Sequence, residues 1–128
     1  MGKLKKILSY AIILCIGSIC FVACGNYGNS GNCGGEGDDG DNLKWKLDDE
    51  GTLTISGAGK MSNYDYIGYP AKWTSKSKKD TIKKVVIEDG VTNIGECAFY
   101  ECSNITEIDI PDSVTDIGMY AFYGCSSL

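Results

Sequence analysis

The chain has 128 residues, of which 43% are hydrophobic and 23% charged, and its formal net charge is −5, values ordinary for one small globular domain with extensions. Histidine and arginine are absent from the sequence, which excludes Ser-His-Asp and Cys-His catalysis and the zinc sites that use histidine. The excess of acidic over basic residues argues against nucleic acid as a partner.

Residues 1–23 have the pattern of a secretion signal. Three lysines precede an almost wholly apolar run from Ile7 to Val22, which is shorter than the roughly 20 residues that a permanent membrane anchor needs. Ala23 directly before Cys24 resembles the lipobox at which bacterial lipoproteins are cut and acylated. The sequence therefore predicts a lipoprotein signal peptide and lipid attachment at Cys24. An ordinary signal peptide followed by an unmodified cysteine is the alternative.

Residues 24–42 are rich in glycine, asparagine and aspartate and contain few sizeable apolar side chains. Because such a segment cannot pack a core, we predict a flexible tether between the lipid and the rest of the chain. Its acidic residues invite comparison with a calcium loop, but Leu43 falls where an oxygen ligand is required. We therefore interpret these acidic residues as part of a solvated linker and expect no metal.

Residues 43–81 are predicted to form an N-terminal cap. Apolar and polar side chains alternate on both sides of an acidic turn that contains Gly51, which is typical of a β-hairpin. The apolar positions are Leu43, Trp45 and Leu47 before the turn and Leu53 and Ile55 after it. Since an array of repeats must cover its outermost unit, we expect this hairpin to act as a lid.

An aromatic and basic segment follows the hairpin, between Gly57 and Asp80, and has two interpretations. Its aromatic rings and lysines could form a platform for sugar rings or an anionic polymer. The candidate ligand-binding residues are then Tyr64, Tyr66, Lys72, Trp73 and Lys76. Alternatively, Trp45, Tyr69 and Trp73 fill the end of the first repeat while the lysines keep a loop soluble.

Residues 82–128 repeat with a period of 23. Residues 82–104 and 105–127 are identical at 12 of 23 positions, and Leu128 begins a third unit. The apolar positions Ile82, Val85, Ile87, Val91, Ile94, Ala98, Phe99 and Cys102 recur as Ile105, Ile108, Ile110, Val114, Ile117, Ala121, Phe122 and Cys125. This period is typical of leucine-rich repeats. We predict a mainly β solenoid of short parallel strands, turns and short helical turns.

Each repeat contains one predicted strand with an inward and an outward side. Val85 and Ile87 are apolar at alternate positions, which indicates a half-buried strand. In a parallel ladder Lys84 would lie beside Glu107 of the next repeat. The outward residues Lys84, Val86, Glu107 and Asp109 are further candidates for ligand binding.

The cysteines of the repeats are interpreted mainly as structural. Cys102 and Cys125 occupy one repeat position and are expected to be small buried residues. A disulfide between them would be strained, because neighbouring strands lie about 4.8 Å apart and a disulfide holds its Cβ atoms at about 3.8 Å. Cys97 is replaced by Tyr120 in the next repeat, so we expect it near the surface. A zinc site of Cys97, Cys102 and Cys125 is the alternative.

The two repeats read VVIEDGVTNIGECAFYEC and IDIPDSVTDIGMYAFYGC. Both resemble the BspA-like leucine-rich repeats of bacterial surface proteins, in which a strand and an acidic or proline turn precede V-T-x-I-G and A-F-x-x-C. The segment KWKLDDEGTLTISGAGKM resembles the region before such arrays, so the likeness covers residues 43–128. It implies an adhesive or binding surface protein and supplies neither a catalytic motif nor a cofactor.

We therefore expect a lipid-anchored, extracytoplasmic, non-catalytic module that binds a host protein, a glycan or a cell-wall polymer. The alternatives are an architectural spacer and an accessory domain, in either case part of a larger surface protein truncated after residue 128. The apolar face of the last repeat has no cover in this sequence. Since an uncovered repeat and its strand edge attract other chains, we also expect self-association through that end.

Overall fold

The computed structural model describes residues 29–35 and 40–128. Its elements are β1 (Ser30–Gly34), β2 (Gly40–Leu47), β3 (Thr52–Gly57), β4 (Gly59–Lys60), a 3-10 helix (Lys72–Thr74), α1 (Lys76–Lys79), β5 (Lys84–Ile87), β6 (Val91–Ile94), β7 (Glu107–Asp109) and β8 (Asp116–Ile117). The expected signal peptide and the expected lipid site at Cys24 lie outside these residues. None of the helices in the described ranges has the length and apolar content that a membrane crossing requires.

The strands form two sheets. One has five strands in the order β1-β2-β3-β5-β7, and the other has three in the order β4-β6-β8. Strands β1, β2 and β3 pair antiparallel, whereas β3, β5 and β7 pair parallel, as do the three strands of the second sheet. The protein is therefore mainly β with little helix, as the sequence predicts.

The antiparallel part contains a hairpin formed by β2 and β3, at the position of the alternating pattern. Leu43, Trp45 and Leu47 are buried while the lysines between them are exposed. In the connecting turn, the side chain of Asp48 accepts hydrogen bonds from the backbone N–H groups of Glu50, at 2.9 Å, and Thr52, at 2.8 Å. These bonds replace ladder partners that the turn residues lack.

The parallel part places equivalent positions of the two repeats side by side. Lys84 pairs with Glu107 and Val85 with Ile108 in the first sheet, and Ile94 pairs with Ile117 in the second. Each pair is separated by 23 residues, the spacing of the sequence repeat. One cluster of buried side chains joins strands of both sheets and includes the fully buried Trp73, Phe99 and Ile105.

The prediction of a flexible tether over residues 24–42 is wrong where the structure describes that segment. Residues 30–34 and 40–42 form strands, and Cys33 is fully buried. Strand pairing uses backbone groups and does not require apolar side chains. Glycine contributes here by its small size: a Cβ atom on Gly31 would lie 2.9 Å from Nε1 of Trp45. The missing side chain therefore allows β1 to lie against the indole.

Burial differs between the two repeats. All eight recurring apolar positions of residues 82–104 are buried, whereas in residues 105–127 only Ile105 and Ala121 are. Ile110 is 43% exposed and Ile117 is 55% exposed, because nothing in the described residues packs on their outer side. The expectation that Cys97 lies near the surface is wrong, since this side chain is 7% exposed. Its backbone adopts a φ of 51°, and the equivalent Tyr120 adopts a φ of 58°, so the two repeats share this turn conformation.

Candidate binding surfaces

The outward side chains of β2, β3, β5 and β7 form one continuous surface, which we call the strand face. Its members are Lys44, Lys46, Thr52, Thr54, Ser56, Lys84, Val86, Glu107 and Asp109. The register sets their rows: Thr54 lies between Lys46 and Val86, and Thr52 lies beside Lys84. The structure thus brings together four of the candidate residues that the sequence indicates.

Lys84 forms ion pairs with both acidic residues of the strand face. Its Nζ lies 2.7 Å from Oε1 of Glu107 and 3.1 Å from Oδ2 of Asp109. The hydrogen bonds to Glu107 and Asp109 raise the pKa of Lys84 above its ordinary value. Exposed ion pairs contribute about 0 to 1 kcal/mol to stability. The arrangement therefore matters more for where the charges lie than for the stability of the fold.

Charge is distributed unevenly across the strand face. The β2 side carries Lys44, whose Nζ donates to Oδ1 of Asn32 at 2.6 Å, together with Lys46. The middle strand supplies hydroxyl groups, and the β7 side carries the carboxylates of Glu107 and Asp109. Such a surface offers ion pairs and hydrogen bonds to a partner with complementary charges. It supplies no pairing of a nucleophile with a general base.

The residues of the predicted aromatic and basic platform differ in burial. Trp73 is fully buried, and its Nε1 donates to the backbone oxygen of Ala98 at 2.8 Å. Tyr64 is also buried, with its ring centroid 5.4 Å from that of Trp73. The prediction that these two residues contact a ligand is wrong, because neither ring is open to solvent. Both rings instead belong to the buried core, where Trp73 contacts Trp45 of β2 and Phe99 of the first repeat.

The lysines of this segment do not gather around the aromatic residues as one platform. Nζ of Lys78 lies 5.6 Å from the ring centroid of Trp45, and Nζ of Lys79 lies 3.3 Å from Oε2 of Glu101. Lys72 and Lys76 are exposed. The alternative interpretation, in which Trp45, Tyr69 and Trp73 are the buried rings, is correct for the two tryptophans only. Tyr69 is 42% exposed, and Tyr64 is buried in its place.

A second surface consists of four neighbouring tyrosines, which we call the tyrosine row: Tyr66, Tyr100 and Tyr123 are stacked, and Tyr120 adjoins Tyr123. The ring centroids of Tyr66 and Tyr100 lie 5.3 Å apart at 17°, and those of Tyr100 and Tyr123 lie 5.0 Å apart at 13°. Tyr120 meets Tyr123 edge-on. Of these residues only Tyr66 is among the sequence candidates. The recurrence of tyrosine in the AFY motif was a signal that could have indicated Tyr100 and Tyr123.

A short loop positions Tyr66 at the end of the row. Oδ1 of Asp65 accepts hydrogen bonds from the backbone N–H groups of Ile67, at 2.8 Å, and Tyr69, at 3.0 Å, and from that of Gly68. These bonds, led by that from Tyr69, hold the pKa of Asp65 below its ordinary value. The carboxylate therefore shapes the loop and leaves Ile67 and Tyr66 exposed at its tip.

The cysteines of the described repeats, Cys97, Cys102 and Cys125, form no common metal site. Among the residues that the structure describes, no three side chains of the metal-ligating types are close enough to hold an ion. The structure therefore does not bring Cys97, Cys102 and Cys125 together as the zinc alternative requires. Cys102 is buried and Cys125 half-buried, as expected for small core residues, and both are free thiols. Burial raises the pKa of Cys102 to about 12, which keeps this thiol protonated and unreactive at neutral pH.

The parallel strands at 23-residue spacing, with recurring apolar positions, define a repeat protein. Residues 76–128 match the family model described as the BspA type leucine rich repeat region, a model of six copies. This region belongs to the BspA-type leucine-rich repeats, and the resemblance found in the sequence is confirmed for these residues.

Two solved structures are similar to the chain. A leucine-rich repeat protein from Eubacterium ventriosum is 38% identical over 66% of this chain and 22% of its own, with a TM-score of 0.61. A leucine rich cell surface protein from Faecalibacterium prausnitzii is 25% identical over 69% of this chain and 28% of its own, with a TM-score of 0.39, too low to define a shared fold. The chain thus spans under a third of either protein. No curated protein matches it.

Proposed function

We propose that the chain is a non-catalytic binding module of a bacterial cell-surface protein, and that the strand face contacts its partner. The observation that carries this proposal is the difference between the two sides of the repeat. Inward positions keep their apolar character, whereas Lys84 becomes Glu107 and Val86 becomes Asp109 on the outward side. The fold does not require these changes, so the outward residues can differ between repeats and contact a partner.

The geometry of the strand face supports this use. The side chains lie in rows on a continuous sheet, and Lys84 holds its two acidic neighbours at 2.7 and 3.1 Å. A partner therefore meets a defined order of charges along the sheet, with Lys84 between the two carboxylates, and this order favours a partner of complementary charge. A host protein, a glycan or a cell-wall polymer could supply the complementary groups.

A binding survey with matched variants tests the proposal. The chain is applied to an array of host surface proteins and glycans and to purified bacterial cell-wall sacculi. The variant Lys84→Ala/Glu107→Ala/Asp109→Ala should lose any binding that the wild type has. The control Lys72→Ala/Lys76→Ala removes exposed charges away from the strand face and should retain binding. Equal binding by all three proteins would contradict the proposal.

The position at the cell surface is proposed to depend on lipid at Cys24. The small Ala23 before Cys24 and the secretion signal before both support this part. Cells that express the chain should incorporate labelled palmitate, and Cys24→Ala should abolish incorporation. Equal labelling of the two forms would exclude the lipid anchor and leave the binding proposal standing.

We further propose that the repeats form a solenoid and that β1, β2 and β3 cap it. Trp73, which lies 5.7 Å from Trp45 and 6.0 Å from Phe99 between ring centroids, links the antiparallel strands to the first repeat. Replacing this link by Trp73→Ala should destabilise the whole module in one cooperative transition, measured by thermal unfolding. Separate melting of two parts would argue against a shared core.

An architectural spacer is the second candidate function. The chain covers only 22% of the Eubacterium ventriosum protein, which suits one segment of a longer surface protein. A spacer would require the fold and not the outward residues. Loss of surface display of a fused domain in Phe99→Ala, without any effect of the strand-face variant in the survey, would favour this candidate.

A further inference from the structure

The tyrosine row lies outside the strands and is separate from the strand face. Tyr100 and Tyr123 follow equivalent turns of the two repeats, and Tyr66 reaches them from the Asp65 loop. Tyr66, Tyr120 and Tyr123 are each more than half exposed. Ile67 beside them is 80% exposed. This aromatic surface therefore remains open to solvent in the described structure and is not used by the function proposed above.

Acidic residues border the tyrosine row. Asp65 directly precedes Tyr66, and the backbone oxygen of Glu96 accepts the N–H of Tyr64 at 2.9 Å, next to the same loop. Glu101 directly follows Tyr100, and its backbone N–H donates to the backbone oxygen of Tyr123 at 2.6 Å. Residues 85–128 contain eight acidic side chains and no lysine or arginine. Lys79, which pairs with Glu101 at 3.3 Å, offsets part of this charge, and the acidic residues around the row still outnumber the basic ones.

We propose that the tyrosine row and its acidic border bind a lysine- or arginine-bearing segment of a partner protein. Tyrosine hydroxyl oxygens and carboxylates accept hydrogen bonds from ammonium and guanidinium groups. Tyr66 stacks on Tyr100 through one ring face and is 60% exposed, so its outer face can receive a cation. Ile67 can pack against the aliphatic stem of a long basic side chain.

The arrangement of the rings disfavours the other occupants of an aromatic surface. Tyr66 and Tyr123 cover the two faces of Tyr100 at 5.3 and 5.0 Å, so a sugar ring could stack only on the rings at the ends of the row. A neutral sugar would also leave the acidic border without a partner of opposite charge. An anionic polymer or an anionic lipid surface would approach Asp65, Glu96 and Glu101 and be repelled. Of the basic groups nearby, Lys79 is already paired with Glu101 at 3.3 Å. A basic partner alone satisfies both the rings and the charges.

Fluorescence anisotropy with defined probes tests the proposal on the full-length chain. The probes are a labelled peptide of alternating lysine and serine, the same peptide with glutamate in place of lysine, and labelled cellohexaose as a neutral oligosaccharide. We expect the lysine peptide to bind and its Kd to rise with salt, because exposed charges are screened. The glutamate peptide and cellohexaose should not bind.

Three double variants locate the site. Tyr66→Ser/Tyr123→Ser removes two rings, and Glu96→Gln/Glu101→Gln removes two bordering charges. Each should raise the Kd for the lysine peptide about fivefold or more. The control Glu88→Gln/Asp112→Asn removes the same charge from exposed positions elsewhere in the repeats and should change the Kd less than about twofold. Circular dichroism checks that each variant remains folded, and Tyr66→Ser alone serves if the double variant unfolds.

Several results would overturn the proposal. Absence of lysine-peptide binding would do so, as would equal weakening by the control and the Glu96/Glu101 variant, which would indicate net charge rather than a site. If cellohexaose bound and the binding depended on Tyr66, the ligand of the tyrosine row would be a glycan and not a basic segment. Because the strand face lies elsewhere, none of these results affects the survey with the Lys84, Glu107 and Asp109 variant.

Discussion

At the scale of the residue, the two phenylalanines of the repeat show how burial depends on neighbours. Phe99 and Phe122 occupy the same repeat position and stack at 5.4 Å with an interplanar angle of 6°. Phe99 also contacts Trp73 on its other side and is fully buried, whereas Phe122 is only partly buried. The same side chain at the same position therefore contributes different amounts to stability.

This difference gives a paired prediction. Phe99→Ala removes a fully buried ring and should lower the free energy of unfolding by about 3 to 5 kcal/mol. Phe122→Ala, the matched change one repeat later, should cost about half as much or less because less surface returns to water. Chemical denaturation of both variants measures the difference. Equal losses, or an unchanged midpoint for Phe99→Ala, would contradict the assignment of Phe99 as the anchor of the core.

Asp65 gives a prediction for pH. The backbone hydrogen bonds that lower its pKa in the folded state favour the ionised carboxylate. The stabilisation of the loop is therefore complete above the ordinary value of 3.8 and is lost as the pH falls through the lower, folded pKa. Amide NMR signals of Ile67, Gly68 and Tyr69 should shift together in that acidic range.

The control for this titration is Asp65→Asn, which keeps an oxygen acceptor but does not titrate. Its loop signals should be independent of pH in the same range. If the wild type and Asp65→Asn show the same shifts, another group controls the loop and the carboxylate is not its organising element.

Many of the buried residues could be predicted from the sequence. All eight inward positions of the first repeat follow from recurrence and alternation, and so does the pairing of Lys84 with Glu107. The roles of Tyr64 and Trp73 could not be separated from that of Tyr66. All three belong to an irregular segment, where no period indicates which ring faces the core. The tyrosine row also needs a loop whose path depends on one carboxylate.

At the scale of the element, the glycines explain what composition alone misses. A glycine-rich stretch predicts flexibility when glycine is considered only for its backbone freedom. In β1, glycine instead permits close approach to Trp45. The strand therefore forms because the neighbouring sheet edge supplies backbone partners, information that the local sequence does not contain.

Gly90 provides a test at this scale. It ends the turn after β5 with a φ of 104°, and an added Cβ would lie 2.6 Å from the backbone oxygen of Gly57. Gly90→Ala should therefore lower the free energy of unfolding by about 1 to 3 kcal/mol through strain and steric conflict. Thermal and denaturant unfolding measure the change.

Gly68→Ala is the matched control for Gly90→Ala. Gly68 has no positive φ, and an added Cβ would meet the Asp65 carboxylate at an ordinary 3.5 Å. We expect a change within about 0.5 kcal/mol. Comparable losses of unfolding free energy in both variants would mean that the close approach of Gly90 to the backbone of Gly57 does not cause the destabilisation.

At the scale of the whole molecule, the edges formed by β7 and β8 favour association. Each lies at the end of its sheet, with Ile110 and Ile117 exposed nearby. Exposed strand edges with apolar side chains recruit other chains. We expect residues 25–128 to self-associate as concentration rises in sedimentation velocity experiments. Ile110→Lys/Ile117→Lys should remain monomeric.

Ile67→Lys is the control for this association, because Ile67 is exposed but lies on the Asp65 loop, away from both strand edges. It should associate like the wild type. A wild type that stays monodisperse over the concentration series would show that these edges are adequately protected. If Ile67→Lys suppressed self-association, the contact between copies would involve the Asp65 loop and the tyrosine row instead of the strand edges.

The most direct test of the central claim exchanges the charges of the strand face while keeping their attraction. In Lys84→Glu/Glu107→Lys/Asp109→Lys, the cross-strand pairs persist with opposite signs, so we expect Tm to change little. Binding to the partner found in the array and sacculus survey should be lost, because that partner would now meet like charges at fixed positions. Unchanged Tm together with unchanged binding would contradict the account, since the outward residues would then take no part in recognition.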